Sequence, residues 1–140
     1  VKLKPDSMIV ELTESGYLEN TVIMQTLWEK LKAYGICIAL DDFGTGYSNL
    51  QNIGDLTPNI VKLDRSFTLK ALKNEYENRL MAYVIQMVHS IGLKICVEGV
   101  ETKDELSHIQ KMKPDYIQGF YYGRPCPKGE FLEQFIKRES

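Results

Sequence analysis

The sequence predicts an α/β fold built on a parallel β-sheet. Short apolar runs rich in β-branched residues alternate five times with longer amphipathic runs. Near-continuous apolar strands are typical of a parallel sheet with both faces covered. Right-handed crossovers would wind these units into either an open doubly wound sheet or part of a (β/α) barrel, and periodicity does not separate the two.

The predicted strands are short runs of residues that favour extended backbone. In chain order they are Met8–Leu12, Ile36–Leu40, Ile60–Leu63, Leu93–Val97 and Asp115–Gln118. No Pro-rich or Ser-rich linker divides the sequence, so we expect all of them in one sheet.

Amphipathic runs between the strands predict helices. The first helix covers Leu18–Tyr34, with Val22 and Ile23 on its inner face. The strongest pattern covers Leu69–Ile91 and predicts one long helix. Shorter helices are predicted at Ser48–Gly54, Lys103–Met112 and Lys128–Lys137.

The composition is that of one globular domain. The chain has 140 residues, of which 44% are hydrophobic and 26% charged, and its formal net charge is −2. Acidic and basic residues are spread along the chain, so no positive field attracts a DNA or RNA polymer. The longest uncharged stretch, residues 80–93, is shorter than the roughly 18 apolar residues that a membrane span needs.

The cysteines and the first residue bear on the cellular setting. Three cysteines without a CxxC pair indicate buried free thiols in a reducing compartment, so we expect a cytoplasmic protein. Because the chain begins with Val1, we also expect it to be part of a longer protein, which upstream segments could tether to a membrane.

Polar residues interrupt or follow the predicted strands near their carboxyl ends. Glu11 and Lys62 are embedded in apolar strands, where a charged side chain is costly unless it finds a partner or a metal. The pair Asp41–Asp42 follows the second strand, Glu98 follows the fourth, and Gln118 ends the fifth. Reactive groups of parallel α/β folds gather at this edge, so these side chains are predicted to form one site.

The predicted site is rich in carboxylates, which favour Mg²⁺ or Mn²⁺ over zinc. Asp41 and Asp42 would let one carboxylate bridge two cations, an arrangement suited to in-line displacement at phosphorus. A helix or turn cap is the other interpretation of this pair. His89 and His108 lie in predicted helices and are interpreted as ordinary helix residues. A structural domain with merely solvated acids is the remaining alternative.

Five segments of the sequence form a recognisable series. They are ELTES at Glu11–Ser15, DDFGTGYSNL at Asp41–Leu50, VKLDRSF at Val61–Phe67, VEGVET at Val97–Thr102 and QGFYYGRP at Gln118–Pro125. The series resembles the signature segments of the EAL domain, the cyclic di-GMP phosphodiesterase domain of bacteria, in the family's order. The resemblance implies a partial TIM-like (β/α) barrel of about five βα units, and hydrolysis of cyclic di-GMP to linear pGpG.

The resemblance also implies roles for the strand-end residues. Glu11 would bind the first metal, and Asp41 would be shared by both metals. Asp42 and Glu98 would serve the second metal, and Glu98 and Lys62 would be catalytic, with Lys62 contacting the attacking water. The implied cofactors are two divalent cations, Mg²⁺ or Mn²⁺, whereas Ca²⁺ is expected to inhibit because its coordination is looser and larger.

Further residues receive supporting roles from the same resemblance. Gln118 would complete the catalytic set by holding the water and the second-metal region. Glu14 would steady the loop after Asp42. Asp64 and Glu101 are interpreted as supporting residues, with salt bridges as the alternative. The substrate-binding residues stay unassigned.

One departure from the family concerns the absent first strands. In the family, the first strand carries a Glu-Ala-Leu segment and one of the next two strands carries an Asn ligand. This chain contains neither. We therefore expect residues 1–140 to be the C-terminal portion of an EAL domain, inactive alone and prone to aggregate or pair through open sheet edges.

The resemblance implies partners as well. It implies cyclic di-GMP as the ligand, a homodimer, and a sensory or GGDEF domain upstream. The alternative is a catalytically degenerate EAL domain that acts as a cyclic di-GMP receptor or protein-interaction module.

Overall fold

One parallel sheet organises the protein. The computed structural model describes residues 4–13, 21–44, 53–54 and 56–136. The strands are β1 (Ile9–Thr13), β2 (Cys37–Phe43), β3 (Ile60–Leu63), β4 (Lys94–Glu98) and β5 (Tyr116–Gln118). They pair in parallel in the order β1-β2-β3-β4-β5. A sequential order without reversal belongs to a barrel, whereas a doubly wound sheet reverses at a switch point. The α/β prediction is confirmed. Of the two architectures that the sequence allowed, the strand order identifies the partial (β/α) barrel.

Helices alternate with the strands. They are α1 (Thr21–Ala33), α2 (Arg65–Lys73), α3 (Glu75–Ser90), α4 (Lys103–Gln110) and α5 (Lys128–Phe131), with a 3₁₀ turn at Pro5–Ser7 and a π-helical turn at Leu132–Ile136. Residues 53, 54 and 56 are also helical, and the rest of the predicted helix at Ser48–Gly54 lies outside the described residues. None of the helices described is both long and apolar enough to cross a membrane.

The core lies between one face of the sheet and the helices. Its buried residues include Ile38, Leu40, Val61, Leu63, Ile95 and Val97 from the strands and Met81, Ile85 and Val88 from α3. On the other face, the buried cluster among the described residues contains strand residues only, and Ile9 and Tyr116 there are exposed. Helices therefore cover one face of the described sheet, because a barrel turns the other face of its sheet inward.

The prediction of one long helix at Leu69–Ile91 is wrong, because the helix is interrupted at Asn74. This residue has extended backbone angles (φ −140°, ψ 127°), and its side-chain oxygen accepts a hydrogen bond of 2.8 Å from Tyr76 N–H. Asn74 thus caps α3 immediately after α2 ends. Apolar periodicity continues across the break and gave no sign of it.

The inner face predicted for α1 is also wrong in part. Val22 and Ile23 are 77% and 69% exposed, whereas Trp28 is buried. Met24 and Leu31 pack beside Trp28 against the core. These three residues follow one helical stripe, and only that stripe faces the sheet.

Candidate functional site

Four strands bring charged side chains to one point on the uncovered face of the sheet. Lys62 of β3 lies at the centre, with its side chain only 5% exposed. Its Nζ lies 2.7 Å from Glu11 Oε1 of β1 and 2.6 Å from Glu98 Oε1 of β4. Asp41 Oδ1 of β2 lies 3.9 Å from the same nitrogen. The structure thus brings together four of the residues that the sequence singled out.

Register explains why these side chains meet. Successive residues of a strand point to opposite faces, and the pairing sets Glu11 beside Ala39 and Lys62 beside Cys96. Every second residue therefore contributes to the uncovered face, in β2 as far as Asp41. The alternate residues pack into the core, so a shift by one residue would bury the charges among apolar side chains.

Lys62 is held in its charged form. Burial opposes the charge, but the hydrogen bonds to Glu11 and Glu98 and the negative charges of Glu98 and Asp41 outweigh it and raise the pKa above its ordinary value. The ammonium therefore stays protonated at neutral pH and can donate hydrogen bonds, but it cannot serve as a base.

Glu98 is the most enclosed of the three carboxylates. Its side chain is 18% exposed, compared with 21% for Asp41 and 47% for Glu11. Burial raises the pKa of Glu98, and the charges of Asp41 and Glu11 act in the same direction, while Lys62 lowers it. A further positive charge beside Glu98 would favour the ionised form of all three carboxyl groups.

Asp42 lies at an irregularity in β2. The strand runs further than predicted, through both aspartates to the buried Phe43, and its register with β3 shifts between Leu40 and Phe43. Asp42 has a left-handed backbone (φ 59°), and its N–H donates to Asp41 Oδ1 at 2.8 Å. Burial, then Asp41 and Asp64, raise the pKa of Asp42. Such bulges commonly redirect side chains beside functional sites.

Gln118 borders the same site from β5. It is the register partner of Glu98, and it lines a cavity of about 310 Å³ together with Glu11 and Lys62.

Cys96 also lines this cavity, and burial raises the pKa of its thiol to about 11. The thiol is therefore protonated at neutral pH and is a poor nucleophile. Cys96 is buried as expected, whereas Cys37 and Cys126 are half-buried.

The predicted supporting residues have different partners. Asp64 caps α2 by accepting a hydrogen bond of 2.8 Å from Ser66 N–H. Glu101 forms an ion pair with Arg65, as in the salt-bridge alternative. Glu14 lies outside the described residues.

Both histidines lie on helices away from Lys62. His89 Nε2 lies 2.7 Å from Asp115 Oδ2, and His108 is hydrogen-bonded to Asn78. These contacts agree with their interpretation as ordinary helix residues.

The donor chemistry of the site fits a hard divalent cation. Within the described residues, no group of three or more His, Cys, Asp and Glu side chains is placed so that it could already hold a metal ion. The carboxylates of Glu11, Asp41 and Glu98 instead gather around the Lys62 ammonium. Three carboxylates that converge on one positive charge are the oxygen donors that Mg²⁺ and Mn²⁺ prefer.

Two residues beside the site were missed by the sequence analysis. The buried Thr68 Oγ1 donates to the carbonyl oxygen of Glu98 at 2.8 Å, and Arg65 Nη1 donates to that of Gly99 at 3.3 Å. Arg65 stands within a quoted motif, but nothing in the sequence pairs it with Gly99. A threonine inside an amphipathic helix gives no signal of such a contact.

Comparison with known proteins yields one family and several relatives. The family model described as the EAL domain matches residues 2–125. The bifunctional diguanylate cyclase/cyclic di-GMP phosphodiesterase MucR of Pseudomonas aeruginosa is 32% identical over 130 residues, which are 93% of this chain and 19% of MucR. The cyclic di-GMP phosphodiesterase NbdA of the same organism is 32% identical over 128 residues, which are 91% of this chain and 16% of NbdA. The chain therefore spans less than a fifth of the length of these relatives.

Solved structures show the same fold. The structure of the MucR phosphodiesterase in complex with c-di-GMP has a TM-score of 0.82 and 32% identity, and the match covers 93% of this chain and 53% of that one. A manganese/cyclic di-GMP complex of Klebsiella pneumoniae BlrP1 has a TM-score of 0.81 and 29% identity over 89% of this chain and 32% of that one. A calcium/cyclic di-GMP complex of BlrP1 gives a TM-score of 0.80, with the same identity and coverage. The two BlrP1 complexes thus contain manganese or calcium together with the cyclic dinucleotide.

Proposed function

Because this chain belongs to the EAL domain family, we propose that its parent protein is a metal-dependent phosphodiesterase that hydrolyses cyclic di-GMP to linear pGpG in bacterial second-messenger signalling. The observation that carries the proposal is the convergence of Glu11, Asp41 and Glu98 on Lys62. The names of MucR and NbdA and the c-di-GMP complex of MucR support the substrate. Residues 1–140 form the C-terminal portion of the domain in this proposal, and a match to only 53% of the MucR phosphodiesterase chain supports a partial domain.

Carboxylates from three strands would hold the cations. Glu11 would hold the first ion, Asp41 would serve both ions, and Asp42 and Glu98 would hold the second. Two Mg²⁺ or Mn²⁺ ions at these positions would supply the Lewis acidity and positive charge that in-line displacement at phosphorus requires.

The residues around the carboxylates orient the reacting groups. Lys62 contacts the attacking water and places a fixed positive charge beside the developing negative charge on phosphate. Its hydrogen bonds to Glu11 and Glu98 hold the ammonium in place. Gln118, the register partner of Glu98, helps to hold the water and the second-metal region.

Other parts of the proposal concern the chain around the site. Glu14 steadies the loop that follows Asp42. The parent protein forms a homodimer and carries a sensory or GGDEF domain upstream. The bifunctional name of MucR supports such an additional domain.

Turnover by the full-length protein tests the proposal. The protein is incubated with cyclic di-GMP and Mn²⁺ or Mg²⁺, and pGpG is measured by chromatography. Glu98→Gln and Lys62→Met should each lower turnover by about 100-fold or more. The control is Glu75→Gln, which removes the charge of an exposed glutamate on α3. Unchanged rates in both site variants would refute the role assignments.

A cyclic di-GMP receptor is the second candidate. The observation that favours it is that Lys62 already pairs with Glu11 and Glu98, so these two carboxylates have a positively charged partner without a cation. Equilibrium binding of cyclic di-GMP without any pGpG in the presence of Mn²⁺ would support the receptor over the enzyme.

A further inference from the structure

The first turn of α2 contacts the ends of two strands that carry carboxylates of the site, β2 and β4. On the β2 side, the Phe67 ring packs against the backbone of Gly44, two residues beyond Asp42. A Cβ atom on Gly44 would lie 2.6 Å from Phe67 Cε2, so ring and backbone are in direct contact. The turn therefore lies against the segment that follows Asp41 and Asp42.

On the β4 side, the same turn holds the backbone around Glu98. Thr68 is 0% exposed, and its hydroxyl donates to the Glu98 carbonyl at 2.8 Å. Arg65 donates to the Gly99 carbonyl at 3.3 Å and forms an ion pair with Glu101. Two consecutive carbonyl oxygens are thus fixed by two side chains of one helix.

Close packing leaves little freedom to this segment. Gly99 has a left-handed backbone (φ +79°), and a Cβ atom there would overlap the Arg65 side chain. The peptide that follows Glu98 is therefore fixed by a steric contact as well as by hydrogen bonds. The position of the Glu98 carboxylate beside Lys62 depends on the backbone that carries it.

We propose that Thr68 and Arg65 are positioning residues that set the Glu98 carboxylate for cation binding by fixing the backbone at Glu98 and Gly99. This inference rests on the proposed function, because it assigns Glu98 to the cation site. Groups that orient a metal ligand from behind typically change metal affinity or activity by about 10-fold to 100-fold when removed. A hydroxyl that merely satisfies a buried carbonyl would change stability alone.

Direct binding of Mn²⁺ tests the proposal without substrate. Mn²⁺ affinity of the full-length protein is measured by electron paramagnetic resonance, and kcat and KM for cyclic di-GMP are measured in parallel. Thr68→Val keeps the shape of the side chain and removes its donor, and Thr68→Ser restores the donor. The matched control is Thr26→Val, which removes a hydroxyl that donates to a carbonyl on the exposed face of α1.

The expected result separates positioning from stability. Thr68→Val should weaken Mn²⁺ binding and lower kcat by about tenfold each with little change in KM, and Thr68→Ser should recover most of both losses. Thr26→Val should change neither quantity. A lower melting temperature for Thr68→Val with unchanged Mn²⁺ affinity and kcat would overturn the proposal, as would failure of Thr68→Ser to restore the Mn²⁺ affinity of Thr68→Val.

A second variant keeps the test decisive if Thr68→Val does not fold. Arg65→Met keeps the packed alkyl stem of a half-exposed residue and should weaken Mn²⁺ binding by about threefold or more. Unchanged Mn²⁺ affinity in Arg65→Met would then overturn the inference.

A parent protein that binds Mn²⁺ but cleaves no cyclic di-GMP contradicts the proposed function, while Mn²⁺ affinity still decides the positioning role. A parent protein without Mn²⁺ binding contradicts both.

Discussion

Replacement of Lys62 by methionine is the most informative perturbation of the site. Methionine preserves much of the apolar stem of lysine but removes the ammonium. Glu11, Asp41 and Glu98 would then face each other without the positive charge that lies 2.7, 3.9 and 2.6 Å from them. The variant tests whether the carboxylates are gathered by this charge.

The expected loss of stability follows from two hydrogen bonds. A hydrogen bond to a charged group contributes roughly 1.5–3 kcal/mol. We assign the middle of this range to the hydrogen bond with Glu98, because that carboxylate is largely enclosed. The hydrogen bond with Glu11 contributes less, because the Glu11 side chain is 47% exposed and water screens the charge. We expect the free energy of unfolding to fall by about 3 kcal/mol at pH 7 in metal-free buffer, in line with the loss of one partner from a buried ion pair.

Hydrogen exchange of the β3 and β4 amides in the full-length protein measures this change, because the slowest amides report the opening free energy of the domain. Mn²⁺ should stabilise Lys62→Met more than the unsubstituted protein, since a cation can replace the missing charge. Lys94→Met, which removes an exposed lysine from β4, is the control and should change little. An opening free energy for Lys62→Met within about 0.5 kcal/mol of the unsubstituted protein would show that the Lys62 charge does not stabilise the gathered carboxylates.

Three further predictions concern the loops and the cation. Asp64→Ala should lower the free energy of unfolding by about 1 kcal/mol, because Asp64 caps α2. The hydrogen bond from Ser66 holds the pKa of Asp64 below its ordinary 3.8, so in an acid titration this difference should persist above pH 3.8 and vanish as the pH falls through the lower folded value. Gly99→Ala should reduce turnover and stability more than Gly35→Ala, because both positions have positive φ but only Gly99 is packed against Arg65; equal unfolding midpoints in urea would contradict this. Ca²⁺ should allow cyclic di-GMP to bind but suppress pGpG formation, and full turnover with Ca²⁺ alone would disprove the two-metal geometry.

The strands were predictable because short apolar runs alternate with amphipathic runs along the chain. The site was predictable because charged residues interrupt or follow those apolar runs. The run of residues 60–63 was predicted with its observed bounds, and Lys62 stands out there because the neighbouring positions are apolar. Glu11 stands out in the same way. Charged residues in apolar strands need partners, so their approach to each other could be expected from the sequence.

Features that depend on backbone geometry were not predictable. The break at Asn74 interrupts a pattern whose apolar spacing continues through it. The shift in register that carries Asp42 depends on how β2 pairs with β3. Thr68 reaches Glu98 only because α2 packs against the end of β4, and this contact joins residues 30 positions apart.

A crystal structure of the parent protein with Mn²⁺, analysed by anomalous scattering, would show whether Glu11, Asp41 and Glu98 hold the cations. We predict anomalous peaks at bonding distance from the carboxylate oxygens of Glu11, Asp41 and Glu98, with Lys62 next to them. Mn²⁺ bound elsewhere, with these carboxylates still paired only to Lys62, would contradict the proposed cation site.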